Sequence, residues 1–317
     1  MDLLIVIVNY RSAGLAVDCL RSLEPEVAHL PGVRAVVVEN CSGADQAERL
    51  SAAIADHGWG GWASLVVADR NGGFAAGNNV AIAPALASAD PPRLVWLLNP
   101  DTVVRPGACA AMAGFLGRRP DVGMVGSRME DPDGTPQVSA FRFPSVLGEL
   151  EGGLRFGPAT RLLSGHTTAP PVPEAECPTD WVAGASLMVR REVFEAVGLL
   201  DEAYFMYFEE VDFCLRARRA GWPCWYVPAA RVVHLVGQSS GIQVGAEKKR
   251  RPAYWFVARR RFFLRNYGRA RTLAADLAHA TAYATYRVRR FLQRKPDTDP
   301  KWMLRDFLRH NFLPVRR

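Results

Sequence analysis

The sequence predicts an α/β fold: a mostly parallel central sheet flanked by helices and followed by a basic helical C-terminal extension. Three observations carry that prediction. Residues 3–8, 35–38, 64–68 and 94–98 are short, continuous apolar runs, the pattern of strands buried on both faces of a parallel sheet. Stretches with helical spacing separate them, and each run stops abruptly in polar residues. The resulting β-α-β-α-β-α-β order implies a right-handed, doubly wound sheet whose strands deliver polar groups to one edge.

The elements follow in order. The run at 3–8 closes in Asn9-Tyr10-Arg11-Ser12, and Leu15, Cys19, Leu20 and Leu23 mark a helix over 13–23. The second strand ends in Glu39-Asn40-Cys41-Ser42-Gly43 before a helix over 44–56. The third runs into Asp69-Arg70-Asn71-Gly72-Gly73, with an Ala-rich helix over 75–86 behind it. Glycines in Asn71-Gly72-Gly73-Phe74-Ala75-Ala76-Gly77-Asn78-Asn79 either permit close approach to a ligand or let helix and strand pack. The spacing matches neither the GxGxxG fingerprint nor a P-loop.

LVWLLNPDT (94–102) is the stretch around which the rest is organised. Pro100 cannot donate to a ladder and biases Asn99 to extended geometry, so the strand stops with Asn99 and Asp101 at its carboxyl end, the edge where open α/β sheets bind ligands. Asp101 there is either a solvated turn residue or an oxygen ligand for a hard divalent cation that also takes oxygens from a phosphate. Further strands are expected at 122–125 and 180–189, with helices at 107–118 and 190–197. Turn and proline signals across 130–178 read as loops and a mobile flap.

A second polar cluster follows an aromatic run, in Tyr204-Phe205-Met206-Tyr207-Phe208-Glu209-Glu210-Val211-Asp212. Acids at a helix start suit the macrodipole, but aromatic packing also desolvates a carboxylate and raises its pKa, as a general base requires. His234, after two valines, is either structural or a partner for a metal held by Asp101.

Composition sets the bounds. Hydrophobic residues at 49% and charged residues at 22% are ordinary for a globular chain, and 317 residues suffice for a large core. Six widely spaced cysteines exclude a zinc pattern and a disulfide framework, so a reducing, cytoplasmic compartment is expected. LLIVIV near the amino terminus lacks a basic flank and a cleavage site and reads as a strand rather than a signal peptide. No uncharged apolar run reaches the roughly 18 residues of a spanning helix, which leaves peripheral contact with the inner face of a plasma membrane. Residues 248–317 hold 20 Lys+Arg against four acids, a balance of +16, whereas the first 247 residues hold 19 against 28, or −9.

Taken together, Val8-Asn9-Tyr10, Val38-Glu39-Asn40, Asn71-Gly72-Gly73-Phe74, Asn78-Asn79, Leu98-Asn99-Pro100-Asp101, Trp181 through Gly184-Ala185, Phe208-Glu209-Glu210-Val211-Asp212 and His234 resemble family 2 glycosyltransferases, in particular the bacterial rhamnosyltransferase-like branch. The resemblance spans roughly residues 3–241. It implies a GT-A fold, a nucleotide-sugar donor, a divalent cation (Mg²⁺ or Mn²⁺) and inversion at the anomeric carbon. It implies that Val8, Tyr10 and Glu39 line the nucleobase and ribose pocket and that Asn71 and Asn79 lie beside the donor. Asn99 and Asp101 stand where the family carries its DxD motif, Asp101 and His234 would hold the metal, and Glu210 would be the base. Trp181, Gly184 and Glu209 would face the acceptor. The family usually carries Asp where this chain has Glu39 and Glu210, so Glu209 and Asp212 remain alternative bases. The expected organisation is a catalytic domain over 1–245, with a donor half (1–128) and an acceptor half (129–245), then a basic, aromatic region over 246–317.

The donor suggested by the branch is dTDP-L-rhamnose, with UDP-sugars as the alternative, and the acceptor a polyprenyl-diphosphate-linked saccharide of the cell envelope or a soluble or secondary-metabolite acceptor. In the tail, basic groups from Lys248-Lys249-Arg250-Arg251 to Arg290 alternate with aromatics from Trp255 to Phe291. Cationic and aromatic faces on helices suit an anionic membrane surface. The rival readings are packing on the acidic body, a homodimer, or nucleic acid, which is not expected because no reader motif is present. A nucleotidyltransferase would show a glycine-rich loop with a basic residue after the first strand, of which residues 9–14 give a faint echo, and a non-catalytic scaffold is the remaining class.

Overall fold

The computed structural model describes residues 2–28, 30–43, 45–235, 250–297 and 299–313. Lys248 and Lys249 of the basic cluster lie outside them. In chain order the elements are β1 (Leu3–Asn9), α1 (Ala13–Ala28), β2 (Val33–Glu39), α2 (Gln46–Asp56), β3 (Ala63–Val67), α3 (Gly73–Leu86), β4 (Leu94–Leu98), β5 (Thr102–Val104), α4 (Ala108–Arg118), β6 (Met124–Glu130) and β7 (Ala140–Phe141). Then come α5 (Val146–Leu154), α6 (Gly157–Leu162), β8 (Cys177–Thr179), β9 (Trp181–Val182), β10 (Ser186–Arg190), α7 (Arg191–Val197), α8 (Glu209–Arg219), β11 (Cys224–His234), α9 (Ala253–Leu292) and α10 (Met303–Phe312). They fall into two compact units. One draws on Met1–Phe141, Pro171–Phe205 and Glu209–Val244, the other on Arg142–Pro170, Met206–Phe208 and Gly245–Arg317.

The first unit is a sheet in the order β3-β2-β1-β4-β10-β6-β11-β5, with β8 also paired to β11. β3, β2, β1 and β4 are mutually parallel, as the four apolar runs predict. Leu3 to Ile7 are buried at 3% exposure or less, which explains why these strands carry no polar alternation. β10 enters antiparallel to both β4 and β6, and β5 antiparallel to β11, so the sheet is mixed beyond β4. The expected single strand over 180–189 is two strands, β9 and β10, interrupted at Ala183-Gly184-Ala185, where the amide of Ser186 closes a turn on the carbonyl of Ala183. A hydrophobic run cannot reveal such a break, because both pieces are buried.

In the second unit, the stretch read from sequence as loops contains α5 and α6. Ser145 caps α5 by accepting the Gly148 amide at 3.0 Å. Gly148, Gly152 and Gly153 lower the local helix propensity, and that masked the element. Two of the glycines have a packing reason: a Cβ on Gly153 would lie 2.7 Å from Ala282 of α9, and one on Gly148 would lie 2.8 Å from the His166 carbonyl oxygen. Across this contact Arg259, 1% exposed, donates to Glu149 at 3.1 Å and to Asp276 at 2.6 Å, and its guanidinium lies over the rings of Phe263 and Phe307. Burial works to raise the pKa of Glu149, but Arg259 and His279 more than offset it and hold it down at about 2. Removing one member of such a buried set leaves an uncompensated charge and costs about 3–5 kcal/mol. Segment 142–170 therefore belongs with the C-terminal helices in space, although it lies in the middle of the chain.

Candidate active site

β1 lies between β2 and β4, so the chain leaves it in one direction towards β3 and returns on the other side at β4. Parallel doubly wound sheets open a crevice at such a reversal, at the carboxyl ends of the strands. The register puts Asn9 opposite Glu39 and Ile7 opposite Leu98, which brings Asn9-Tyr10, Glu39-Asn40 and Asn99-Asp101 to that edge.

On the side of β2 and β3 the polar groups form one clamp. The Asn40 amide nitrogen donates to Asn71 Oδ1 at 3.1 Å and to the Gly73 carbonyl at 3.1 Å, and Asn71 Oδ1 also accepts the Gly73 amide. Glu39 is buried, and its Oε1 accepts the Ser42 amide at 2.8 Å. Val8 lies under α3, close enough that a Cβ on Gly77 would sit 2.7 Å from it. Tyr10 carries the Arg11 guanidinium over its ring at 5.1 Å. Gly73, at φ +80°, starts α3 where the Phe205 carbonyl accepts the Phe74 amide at 2.9 Å. Asn79, expected beside the donor, commits its amide nitrogen to the Leu200 carbonyl and Glu202 Oε1 and so ties α3 to the segment that leads into the acids.

On the β4 side, the Asn99-Pro100-Asp101 turn is fixed from both flanks. The Asn99 amide donates to the Ala185 carbonyl at 3.0 Å, and the Asp101 carbonyl accepts the Leu235 amide at 2.9 Å. Asp101 is 1% exposed, with His234 Nε2 3.6 Å from its Oδ1. β11 and β5 pair His234 with Thr102, which explains how residues 133 positions apart meet (234 − 101). Among the described residues no group of three or more His, Cys, Asp or Glu forms a metal cage. A buried carboxylate and one imidazole nonetheless fit a cation that takes its remaining ligands from a diphosphate and water, as Mg²⁺ does, and imidazole also suits Mn²⁺.

The break between β9 and β10 joins this turn to the acids. A Cβ on Gly184 would lie 3.3 Å from the Phe74 ring and 3.5 Å from Glu210 Cβ. Two consecutive left-handed residues, Tyr207 (φ 72°) and Phe208 (φ 69°), precede α8, a strained entry that sets where Glu209 and Glu210 begin. Glu209 is 4% exposed, and burial and then the neighbouring Glu210 charge hold its pKa well above the ordinary range. Burial raises Glu210 to about 7, against the pull of the Glu210, Val211 and Gly184 amides. Asp212 is fully buried and accepts from Arg216 Nε at 2.9 Å and from the Tyr204 hydroxyl, which makes it an anchor of the helix. Trp181 stacks on Phe141 with ring centroids 4.2 Å apart, an aromatic surface supplied by β7 and β9. One row of contacts thus runs His234, Asp101, Asn99, Ala185, Gly184, Glu210.

Two contributors escaped sequence reasoning. Asn40 stands in a strand end and in the Val38-Glu39-Asn40 motif with no role assigned to it, yet it holds the glycine loop, and Phe205 acts through a backbone carbonyl that carries no side-chain signal.

The sequence model of the family described as "Glycosyltransferase like family 2" matches residues 2–263. The chain belongs to that family. Over 153 residues it is 37% identical to N-acetylglucosaminyl-diphospho-decaprenol L-rhamnosyltransferase of Mycobacterium tuberculosis, covering 46% of this chain and 48% of that protein. The chain thus spans about half the length of that curated relative. Among solved structures it resembles a mannosyltransferase of Pyrobaculum calidifontis in complex with GDP-Man and Mn²⁺, with TM-score 0.58 and 15% identity over 92% of this chain and 74% of that one. It also resembles S. aureus TarS in complex with UDP-GlcNAc, with TM-score 0.54 and 14% identity over 98% of this chain and 82% of that one. These likenesses establish the GT-A fold for the family member described here.

Proposed function

We propose that this chain transfers a sugar, with inversion, from a nucleotide-sugar donor to a saccharide acceptor, the donor being dTDP-L-rhamnose and the acceptor a polyprenyl-diphosphate-linked saccharide of the cell envelope. The observation that carries the reading is the row from His234 and Asp101 through Gly184 to Glu210, which sets a metal-compatible pair and a carboxylate of raised pKa along one sheet edge. The rhamnosyl group and the polyprenyl-diphosphate-linked acceptor are supported by the name of the mycobacterial relative.

In this reading Val8, Tyr10 and Glu39 line the base and ribose, and Asn71 with Asn79 orders the loop beside the donor. Asn99, Asp101 and His234 face the diphosphate. A bound Mg²⁺ or Mn²⁺ would supply Lewis-acid stabilisation of the charge that grows on the leaving diphosphate. The acceptor oxygen attacks the anomeric carbon as the bond from that carbon to the phosphate oxygen breaks. Glu210 takes the acceptor hydroxyl proton, and the nucleoside diphosphate leaves with the bonding pair. Glu209, with Trp181 and Gly184, faces the acceptor, and a positioned base such as Glu210 is worth about 10²–10⁴-fold. The basic C-terminal region brings the enzyme to the membrane that carries the acceptor.

The test is turnover with dTDP-L-rhamnose, UDP-sugars and GDP-mannose in parallel, each with Mn²⁺, Mg²⁺ and chelator. Rhamnosyl transfer that chelator abolishes and metal restores is the expected result. Transfer from a UDP-sugar alone would overturn the donor, and full activity in chelator would remove Asp101 and His234 from a metal role.

A further inference from the structure

The second half of α9 presents one face that none of the described residues of its own unit covers. Leu273, Leu277, Val288, Phe291 and Leu292 are from 49% to 79% exposed. Five turns of α-helix return residues eighteen positions apart to one angle, so Leu273 lies in line with Phe291, and Ala274 with Leu292. At roughly 1.5 Å per residue the stripe is about 30 Å long. Thr281 and Thr285 fall within it, but their hydroxyls donate to the carbonyls of Leu277 and Thr281 at 2.7 and 2.9 Å, which leaves their methyl groups outward. Asp276, the one acid between residues 269 and 292, is buried on the opposite side with Ala275, Ala282 and Tyr283.

The edges of the stripe are cationic. By the same five-turn rule Arg269 aligns with Arg287 along one edge, and Arg271 with Arg289 along the other. Arg287 pairs with Asp297 and Arg289 donates to the Leu154 and Arg155 carbonyls, so the cations offered to solvent are the exposed Arg269 and Arg271, with Arg294 and Lys295 beyond the end of the stripe. An uncharged centre flanked by arginines on both sides is the arrangement of a helix lying in a bilayer interface, its apolar face in the acyl boundary and its cations reaching the phosphates. Among the described residues no helix is long and apolar enough to cross a membrane. We infer that this face, rather than the aromatics in the first half of α9, is the surface by which the chain lies on an anionic phospholipid leaflet. Phe256, Phe262, Phe263 and Tyr283 are buried within their unit and are unable to serve. A second copy is a poorer occupant: a two-fold contact along the stripe would set its arginine edges against their own symmetry mates.

The inference rests on the lipid-linked acceptor proposed above, but its test needs no turnover, so either can fail alone. The full chain should float with phosphatidylglycerol-phosphatidylcholine vesicles, float poorly with phosphatidylcholine alone, and dissociate as salt is raised. Leu277→Glu with Val288→Glu should lower the bound fraction by roughly tenfold or more while the melting curve stays that of the wild type. Arg269→Gln with Arg271→Gln should weaken binding only to the anionic vesicles. Flotation that the double glutamate variant leaves intact would overturn the assignment. So would a wild-type dimer, seen by light scattering, that the same variant converts to monomer.

Discussion

Glu209 and Glu210 are neighbours at one helix start, yet the proposed mechanism gives them different tasks because their surroundings differ. Burial and then the adjacent charge push Glu209 well above the ordinary carboxylate range, while burial raises Glu210 to about 7 against the pull of three amides. A base must be ionised, so kcat/KM is expected to rise with pH through a midpoint near 7. The stability effect has the opposite sign. A carboxyl whose folded pKa exceeds its unfolded value binds more protons when folded, so its contribution declines as pH climbs from the ordinary carboxylate range to about 7. Glu210→Gln removes both effects. Transfer should drop by about 10²–10⁴-fold, and melting at alkaline pH should stay level or rise, as initial rates and thermal melts across pH would record. Wild-type turnover in this variant would show that Glu210 is not the base.

At the scale of elements, the site depends on backbone approaches that side chains would obstruct. Gly73 begins α3 at φ +80°, and a Cβ there would come within 1.7 Å of the Phe205 carbonyl oxygen. Gly73→Ala should therefore displace the start of α3 from the segment before the acids and release the Asn40-Asn71 clamp. A loss of about 1–3 kcal/mol in denaturant unfolding is expected from the strain, with a raised donor KM. Unchanged stability and KM would show that the loop adapts. The same logic explains Gly184, whose place between the Phe74 ring and Glu210 has no room to spare.

At the scale of the whole molecule, a net charge of +7 conceals a body of −9 and a tail of +16 (19 − 28 and 20 − 4). On the proposed reading, an anionic nucleotide-sugar meets a negatively charged body through a cation at the diphosphate, so donor and metal are expected to bind together. Ligands that bind only the folded state stabilise it by mass action, about 2.7 kcal/mol at a hundredfold excess over Kd. The productive donor should raise the melting temperature with Mn²⁺ present and lose most of that shift in chelator. A shift equal in both conditions would separate donor binding from Asp101 and His234.

The sequence alone determined the parallel half of the sheet. A strand buried on both faces must be apolar throughout, and one that ends at a ligand edge must stop in polar residues, so residues 3–9 and 94–101 announce both facts locally. It also marked Asp101, Glu210 and His234 as chemically apt groups. Only the tertiary structure decided that β11 carries His234 to Asp101, that a turn at Gly184 meets Glu210 and lets β10 enter antiparallel, and that α5 belongs with α9. Those pairings join residues tens to more than a hundred positions apart through packing and ladder hydrogen bonds, and no short window of sequence holds both partners.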